Sequence, residues 1–355
     1  MFFDYTTIVL LLTLIILINI YCYQKEITLN IFFKKLINKI FHKKNIIGFP
    51  SVFLNKNYNS IPVTKGLVLL NIPVSDQFGQ AVHPDVKYIK NGFGRKKYKY
   101  WMTCTSYPYE SSLHENPEMF VSNDGFYWTK PKKSLSQIVK KPKNTNSHYS
   151  DPIIVFTNKK LLTFYRKTEY KNNFFYDYLY QKKMLNNLNW SKAKLLIKSK
   201  NSFLLSPTIE KINNKWCMWT INQNNKSNFF IEVRNSKNLT NWSKPYLCEI
   251  KGLKKNNDPW HLDVKKFNNI TIGLLTTINS KSKNNINSNW FIQSFNNGLS
   301  FKVIKKIKKN YEFESLRQYR GCILKIEKEW ADIYYSACNN HKVHYIARIK
   351  IKWQK

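Results

Sequence analysis

Three segments of this sequence place carboxylate and imidazole side chains at the start of apolar, strand-like runs. They are His83-Pro84-Asp85, Ser150-Asp151-Pro152 and Trp260-His261-Leu262-Asp263. The chain has only nine Asp and seven His residues, so these segments concentrate the groups that exchange protons near neutral pH. A fold that brought them together would form a pocket suited to acid–base chemistry and to hydrogen bonding of sugar hydroxyls.

A turn motif that ends in an aromatic residue repeats along the chain and indicates such a fold. The form Ser-Asn-Asp-Gly-Phe-Tyr-Trp ends at Trp128, and looser copies end at Trp190, Trp242 and Phe301. Five strand starts keep step with this repeat, at 83–89, 150–155, 206–210, 260–264 and 319–323. A second β-rich stretch follows each start. Strand pairs and turns at a regular period are typical of propeller blades, so the sequence predicts an all-β, five-bladed β-propeller over residues 61–355.

The predicted fifth blade has three strands, at about 319–326, 329–337 and 342–351. A propeller closes by adding a strand from its other end, and Gly66–Ile72 is the natural candidate. The innermost strand of each blade lines the central channel, so the blade starts should converge there. Blade-start Asp residues also cap turns, but that role accounts poorly for three equivalent positions. The predicted substrate-binding set is His83, Tyr165, Arg166, Trp260, Asp263, Tyr319 and Arg320.

The net charge of +37 comes almost entirely from Lys residues spread evenly along the chain, with only six Arg. Proteins that bind nucleic acids concentrate Arg and Lys on one stripe or motif, and no such cluster occurs here. We therefore expect no nucleic-acid partner, whereas anionic glycans or membrane surfaces suit the charge. The six Cys residues show no CxxC spacing and lie mostly in apolar runs, which predicts buried free thiols. Nothing in the sequence sets an oligomeric state.

Residues 5–23 are nearly all apolar and are long enough to span a bilayer as a helix. No basic residue precedes them and no small residues follow, so an uncleaved anchor over residues 1–24 is favoured over a signal peptide. Residues 25–60 begin with Lys and apolar residues at helical spacing, which predicts a basic amphipathic helix and linker on the membrane surface. A helix packed on the globular domain is the alternative. The positive-inside rule then predicts a single-pass membrane protein with its propeller on the cytoplasmic side.

The arrangement resembles the five-bladed β-propeller glycoside hydrolases, families 32, 43, 62, 68 and 117 and their relatives. In those enzymes a first-blade Asp is the nucleophile or base, a second-blade Asp stabilises the transition state, and a third-blade Glu before a Pro is the acid. The resemblance implies the first role for Asp85 and the second for Asp151, which precedes Pro152.

The third position departs from this pattern, because Leu205 stands two residues before Pro207. General acid catalysis contributes about 10² to 10⁴ in rate, so this change removes ordinary hydrolysis or moves the acid elsewhere. Three residues remain as substitutes for the acid: His261, Glu115 and Glu169. In the family 117 relatives, which this chain resembles, a His fills the role of the acid. Glu210 lies too far along its strand. The sequence contains no HExxH or CxxC spacing, so its motifs predict no metal or cofactor site. The resemblance alone allows a single cation near His261.

Two hypotheses follow. The first is a membrane-anchored, glycosidase-like enzyme acting on a surface or capsular polysaccharide or its precursor, with Asp85, Asp151, and His261 or Glu115 as catalytic residues. Arg166 and Arg320 would hold the substrate through forked hydrogen bonds. The alternative is a non-catalytic, glycan-binding propeller that serves polysaccharide assembly, which Leu205 favours. A protein-interaction scaffold would need neither the Asp nor the Arg residues.

Overall fold

The computed structural model describes residues 61–354, with gaps at 65, 77, 144–145, 158–159, 187–188, 224–228, 280 and 282–286. These residues belong to one compact unit, Asn59–Lys355. The predicted anchor (1–24) and the predicted amphipathic segment (25–60) lie outside the described residues. The predicted domain division therefore stays a prediction.

The predicted localisation requires correction. Within the part of the chain that the structure describes, no helix is long and apolar enough to cross a bilayer. This finding contradicts the predicted single-pass membrane protein with a cytoplasmic propeller.

The described residues form twenty strands and little helix. The strands are β1 (Ile61–Thr64), β2 (Leu67–Leu70), β3 (Ala81–Phe93), β4 (Tyr98–Ser106), β5 (Pro117–Ser122), β6 (Ser147–Thr157), β7 (Lys160–Lys171), β8 (Phe174–Lys183), β9 (Lys194–Lys200), β10 (Leu205–Ile212), β11 (Lys215–Gln223), β12 (Phe229–Ser236), β13 (Tyr246–Lys251), β14 (Asn257–Phe267), β15 (Ile270–Asn279), β16 (Asn287–Ser294), β17 (Ser300–Lys306), β18 (Arg317–Glu327), β19 (Trp330–Cys338) and β20 (His344–Lys352). One α-helical turn, α1 (Lys133–Ser136), and three short 3₁₀ turns complete the described secondary structure.

The strands form five antiparallel blades. In chain order they are β3–β5, β6–β9, β10–β13, β14–β17 and the group β18, β19, β20, β2, β1. A parallel contact between β13 and β17 joins the outer edges of the third and fourth blades. The inner strands β3, β6, β10, β14 and β18 begin at or just before the five predicted starts and lie next to one another in a ring. The predicted all-β propeller with five blades is confirmed.

The strand that closes the ring comes from the predicted segment. Strand β2 pairs antiparallel with β20, with Leu67 opposite Ile349 and Leu70 opposite Ile346. This pairing adds the first described strands to the outer side of the fifth blade, so backbone hydrogen bonds join the beginning of the propeller to its last strand.

The repeated turn motif has a physical basis in side-chain hydrogen bonds. The Ser122 hydroxyl accepts the backbone N–H groups of Asp124 and Gly125, and the Asp124 carboxylate accepts those of Phe126 and Tyr127. Ser236 with Asn238, and Ser294 with Asn296, repeat this pattern. Such short polar side chains replace the lost ladder bonds at a tight turn, which explains their return in three of the four repeated turns.

The aromatic residue after each turn packs between its own blade and the preceding one. Trp128 lies in the cluster between blades one and five, Trp190 between one and two, Trp242 between two and three, and Phe301 between three and four. Each repeat therefore contributes one aromatic side chain to the apolar contact with its neighbouring blade. A structure built from stacked units is stabilised by such contacts between neighbours. The five cysteines in the described residues are buried free thiols, as predicted.

Replacing Gly298 by Ala should destabilise the propeller more than replacing Gly252 by Ala. Both glycines have φ of +81°, so both variants carry the same left-handed backbone penalty of about 1–2 kcal/mol. An added Cβ at Gly298 would meet the buried Trp219 ring at 2.4 Å, whereas at Gly252 its nearest contact is 3.7 Å. We expect an additional loss of about 1–3 kcal/mol for Gly298→Ala, measured by urea unfolding. Equal losses in the two variants would contradict this packing.

Candidate active site at the start of the inner strands

Three inner strands open with the same local distortion. His83, Asp151 and Ser206 have φ of 58°, 49° and 52°, and each precedes a proline. The strand register shifts at the same place in β3, β6 and β10. A bulge of this kind redirects side chains and is frequent beside active sites. The left-handed backbone of a non-glycine residue costs about 1–3 kcal/mol, which the surrounding contacts must offset.

Asp151 is the centre of the pocket. It is buried, and its two oxygens accept hydrogen bonds from Arg320 Nη1 at 2.9 Å and Arg166 Nη1 at 3.2 Å. Burial opposes ionisation, but His83, Arg320, His261 and Arg166 together hold the pKa of Asp151 well below its ordinary value. Because the two guanidinium groups are always charged, they account for an ionised carboxylate at every working pH.

A second buried carboxylate, Asp177, supports this centre and was not predicted from the sequence. It accepts hydrogen bonds from Arg166 Nε at 2.8 Å, Thr168 Oγ1 at 2.7 Å and the Leu204 N–H at 2.9 Å. Asp177 thereby fixes the guanidinium that holds Asp151. The only signal in the sequence is an Asp between two tyrosines in the middle of a strand, where charged residues are uncommon.

Two imidazoles face the same Asp151 oxygen. His83 Nε2 lies 3.8 Å and His261 Nδ1 lies 3.7 Å from Oδ1, and both rings are buried. Within the described chain, none of the four ring nitrogens has a hydrogen-bond partner. Burial lowers the pKa of His83 to about 4 and that of His261 well below its usual value, so both rings are neutral at pH 7.

These three residues fit a divalent metal ion. One ligand atom from each of His83, Asp151 and His261 lies within 4.8 Å of the others. Neutral imidazole nitrogens and a carboxylate oxygen are the donor set that Zn²⁺ and related first-row ions prefer. Buried polar atoms without partners cost free energy, and a bound ion would satisfy them. No motif spacing in the sequence indicates this site, because its residues come from three different blades; only the family resemblance allowed a cation near His261.

Glu115 enters the same pocket from the loop after β4. Its carboxylate is buried and lies 3.3 Å from His148 Nε2, on the strand that carries Asp151. Burial and the nearby Asp151 raise the pKa of Glu115 well above its ordinary value, although Arg166 opposes the shift. Burial also lowers the pKa of His148 to about 4. The result is a buried carboxyl group that holds a proton beside the Asp151 centre, with a neutral His148 as its partner.

Two aromatic residues form one wall of the pocket. The Tyr319 ring lies 4.5 Å from His261 and 5.4 Å from His83, and the Trp260 indole N–H donates to the Tyr319 hydroxyl at 3.3 Å. Tyr165, the third predicted stacking residue, lies elsewhere. It is buried between blades one and two and stacks on Tyr180 at 5.6 Å. Because side chains alternate along a strand, Arg166 reaches the channel and its neighbour Tyr165 points away.

Asp85 and Asp263 lie in a separate layer of the channel, two residues farther along β3 and β14 than His83 and His261. Asp85 accepts the Ile154 N–H and pairs with Lys87 Nζ at 3.1 Å. Asp263 accepts the Ile323 N–H at 2.7 Å and the Thr208 hydroxyl at 2.8 Å. Each carboxylate thus ties its blade to a neighbouring inner strand. The sequence predicts that Asp85 and Asp263 are equivalent to Asp151. In the structure, however, the bulge in β3 places His83 beside Asp151 in place of Asp85, and from β14 it is His261 that faces Asp151.

The other candidates for the missing acid also fall outside the pocket. Leu205 packs in the apolar cluster between blades three and four, so it does not face Asp85 across the channel. Glu169 accepts a hydrogen bond from the Tyr178 hydroxyl at 3.1 Å and pairs with Lys167. Glu210 pairs with Lys265. Of the predicted acids, the structure brings only Glu115 and His261 to Asp151.

No family model matches the sequence. A stretch of 77 residues, 22% of this chain, is 31% identical to the A type blood N-acetyl-α-D-galactosamine deacetylase of Flavonifractor plautii. The match spans a tenth of that relative's length.

Solved structures show the same fold. An N-acetylgalactosamine deacetylase from F. plautii, in complex with blood group B trisaccharide, superposes with a TM-score of 0.70 at 17% identity, over 83% of this chain and 95% of that one. An α-L-arabinofuranosidase from Lactobacillus brevis gives 0.55 at 11% identity, over 76% and 90%. An exo-1,5-α-L-arabinanase from a bovine ruminal metagenomic library gives 0.54 at 14%, over 78% and 94%. The predicted resemblance to the propeller glycoside hydrolases is confirmed for the fold.

Removing Asp177 should destabilise the protein strongly, because Arg166 would remain buried with one carboxylate fewer. We expect Asp177→Ala to cost about 3–5 kcal/mol in urea unfolding. The control is Glu329→Ala, which breaks an exposed ion pair with Lys352 and should cost about 0–1 kcal/mol. If Asp177→Ala does not fold, Asp177→Asn serves instead, since it keeps an acceptor for Arg166. A loss in either Asp177 variant no larger than the control's would contradict the assigned role.

Proposed function

We propose that this chain is a carbohydrate-active hydrolase that removes an N-acetyl group from an amino sugar, in a surface or capsular polysaccharide or its precursor. The observation that carries the proposal is the buried His83–Asp151–His261 cluster, whose imidazole nitrogens have no partners in the described chain. A propeller deacetylase is among the proteins of similar fold, and the short sequence match is to a deacetylase as well.

A metal ion in this cluster would be held by His83, Asp151 and His261. Such an ion supplies Lewis-acid polarisation of a carbonyl and lowers the pKa of a bound water. Neutral imidazoles are the form in which His binds metals, and burial keeps both rings neutral. Arg166 and Arg320 keep Asp151 ionised and oriented, which is the usual task of groups behind a metal ligand.

The remaining residues account for proton transfer and substrate orientation. Hydrolysis of an acetamide breaks the C–N bond, adds the water oxygen to the acetyl carbon and transfers a proton to the departing amine. Glu115 is the buried carboxyl group that can exchange that proton, with His148 beside it at 3.3 Å. Trp260 and Tyr319 offer faces against which a sugar ring can stack.

Cleavage of a glycosidic bond is the second candidate, and Glu115 is the observation that favours it. A protonated carboxyl group beside an ionised Asp151 is the pair that glycoside hydrolysis uses. Two observations weigh against it. Asp85, the predicted nucleophile or base, is engaged by Lys87 and the Ile154 N–H, and the third-blade acid position is Leu205.

The purified protein should contain about one equivalent of a divalent transition metal, measured by mass spectrometry of the dialysed protein. His83→Ala and His261→Ala should each lower metal content at least tenfold, because each removes one of three ligands. His341→Ala is the control, since His341 is an exposed histidine that belongs to neither group of described residues able to hold a metal ion. Equal metal content in all three variants would exclude this metal site.

Incubation with N-acetylgalactosamine-containing oligosaccharides should release acetate and leave the glycosidic bonds intact. Glu115→Gln should lower kcat by about 10² to 10⁴, since it removes a proton-exchanging group. Glu169→Gln, a carboxylate outside the pocket, should keep full activity. Release of reducing sugars without acetate would support the glycosidase candidate instead. Saccharide binding without either product would support the glycan-binding alternative predicted from the sequence.

A further inference from the structure

A buried polar layer divides the central channel into two parts. Asp85, Lys87 and Asp263 form this layer, with the Thr208 hydroxyl donating to Asp263. Backbone N–H groups of Ile154 and Ile323 complete the hydrogen bonding of the two carboxylates. The pocket around Asp151 lies on the side where the inner strands begin. A separate cavity lies on the other side, where they end.

This second cavity, here called the lower chamber, has a volume of about 770 Å³. Its walls come from all five blades, including residues 86–88 of β3, 154–157 of β6 and 209–211 of β10. The volume is within the range of about 300–1,000 Å³ that small-molecule and cofactor sites occupy. The pocket around Asp151 uses none of these residues.

Aromatic side chains supply stacking faces in the lower chamber. Tyr88 is 49% exposed, with its ring 4.9 Å from that of Tyr100, and Trp216 lines the blade-three side. The half-exposed Tyr88 leaves a ring face open to a ligand in this concave site. Sugar rings present apolar C–H faces that pack on aromatic rings, with polar edges left for hydrogen bonds.

The charges of the chamber select an anionic ligand of moderate charge. Five cationic residues line it, and three of them have close carboxylate partners: Lys87 with Asp85, Lys325 with Glu327, and Arg348 with Asp332. Lys265 is 3.6 Å from Glu210, and Lys211 has no ion pair in the described chain. Lys211 and Lys265 are therefore the cations available to a ligand's carboxylate.

We infer that the lower chamber is a second carbohydrate site that binds an anionic, uronic-acid-type oligosaccharide without acting on it. Lys211 and Lys265 bind the sugar carboxylates, while Tyr88 and Trp216 stack on the rings. Glu210 and Asp332, which also line the chamber, accept hydrogen bonds from sugar hydroxyls. This site is independent of the proposed deacetylation.

Calorimetric titration of the full chain with hexagalacturonate tests the inference, with maltohexaose as the uncharged probe. We expect binding of the first that weakens as salt rises, and much weaker binding of the second. The double variant Lys211→Gln/Lys265→Gln and the single variant Trp216→Ala should each weaken binding at least fivefold. The control Lys302→Gln/Lys308→Gln removes the same charge from residues outside the chamber and should leave affinity unchanged.

His261→Ala separates this site from the pocket around Asp151. Retained hexagalacturonate binding in that variant supports the lower chamber, whatever its effect on acetate release. Four results would overturn the inference: no binding at millimolar ligand, equal loss in the two Lys double variants, loss in His261→Ala, or tighter binding of single-stranded DNA of equal charge. Thermal unfolding of each variant establishes that the affinity changes are not caused by unfolding.

Discussion

The buried carboxylate of Asp151 is the interaction on which the site depends. It joins Arg166 of its own blade to Arg320 of the fifth blade, and Arg320 donates its other end to the Pro207 carbonyl of the third. With Asp177 added, this hydrogen-bonded group contains two carboxylates and two guanidinium groups, so the formal charge of the group is zero. Burying these charged groups costs free energy, and removing one partner from a buried ion pair costs more. The ion pairs therefore hold the starts of the blades in fixed positions relative to one another.

The same centre prepares the chemistry of its neighbours. Because the guanidinium groups keep Asp151 ionised, its carboxylate oxygen and the two neutral imidazoles could together bind the proposed metal ion. The negative charge also favours the protonated form of Glu115. A deacetylase and a glycosidase would both use a carboxylate beside a proton donor, so the fold does not choose between them. The proposed deacetylase rests on the two histidines, whose ring nitrogens have no hydrogen-bond partner in the described residues.

The lower chamber illustrates how one propeller can contain two sites. Inner strands in a ring have two ends, and the Asp85–Lys87–Asp263 layer closes the passage between them. The pocket at the strand starts collects side chains from four blades and the lower chamber from all five, with different composition because different strand positions contribute. The strand starts supply histidine, aspartate and arginine, whereas the strand ends supply lysine and aromatic residues.

Much of the fold could be predicted from the sequence, because it depends on local patterns. The Ser–Asn/Asp turn is set by hydrogen bonds within a few residues, and each repeat supplies its own aromatic residue for packing. The blade starts, the second strands and the closing segment at Gly66–Ile72 followed from counting these units. The sequence also predicts that His83, Asp151, His261 and Arg320 converge, because they begin inner strands that share one axis.

Other features depend on tertiary structure alone. A bulge at His83 decides that this residue, and not Asp85, stands beside Asp151, and a single-residue shift in register is invisible in sequence spacing. The side to which Tyr165 or Leu205 points depends on the same alternation. Asp177, His148 and the His83–Asp151–His261 cluster join residues from separate strands or blades, so their proximity depends on how the strands pack. The sequence determined the repeat and the chemistry available at each blade, and packing decided which side chains meet, because convergence depends on register and long-range contacts.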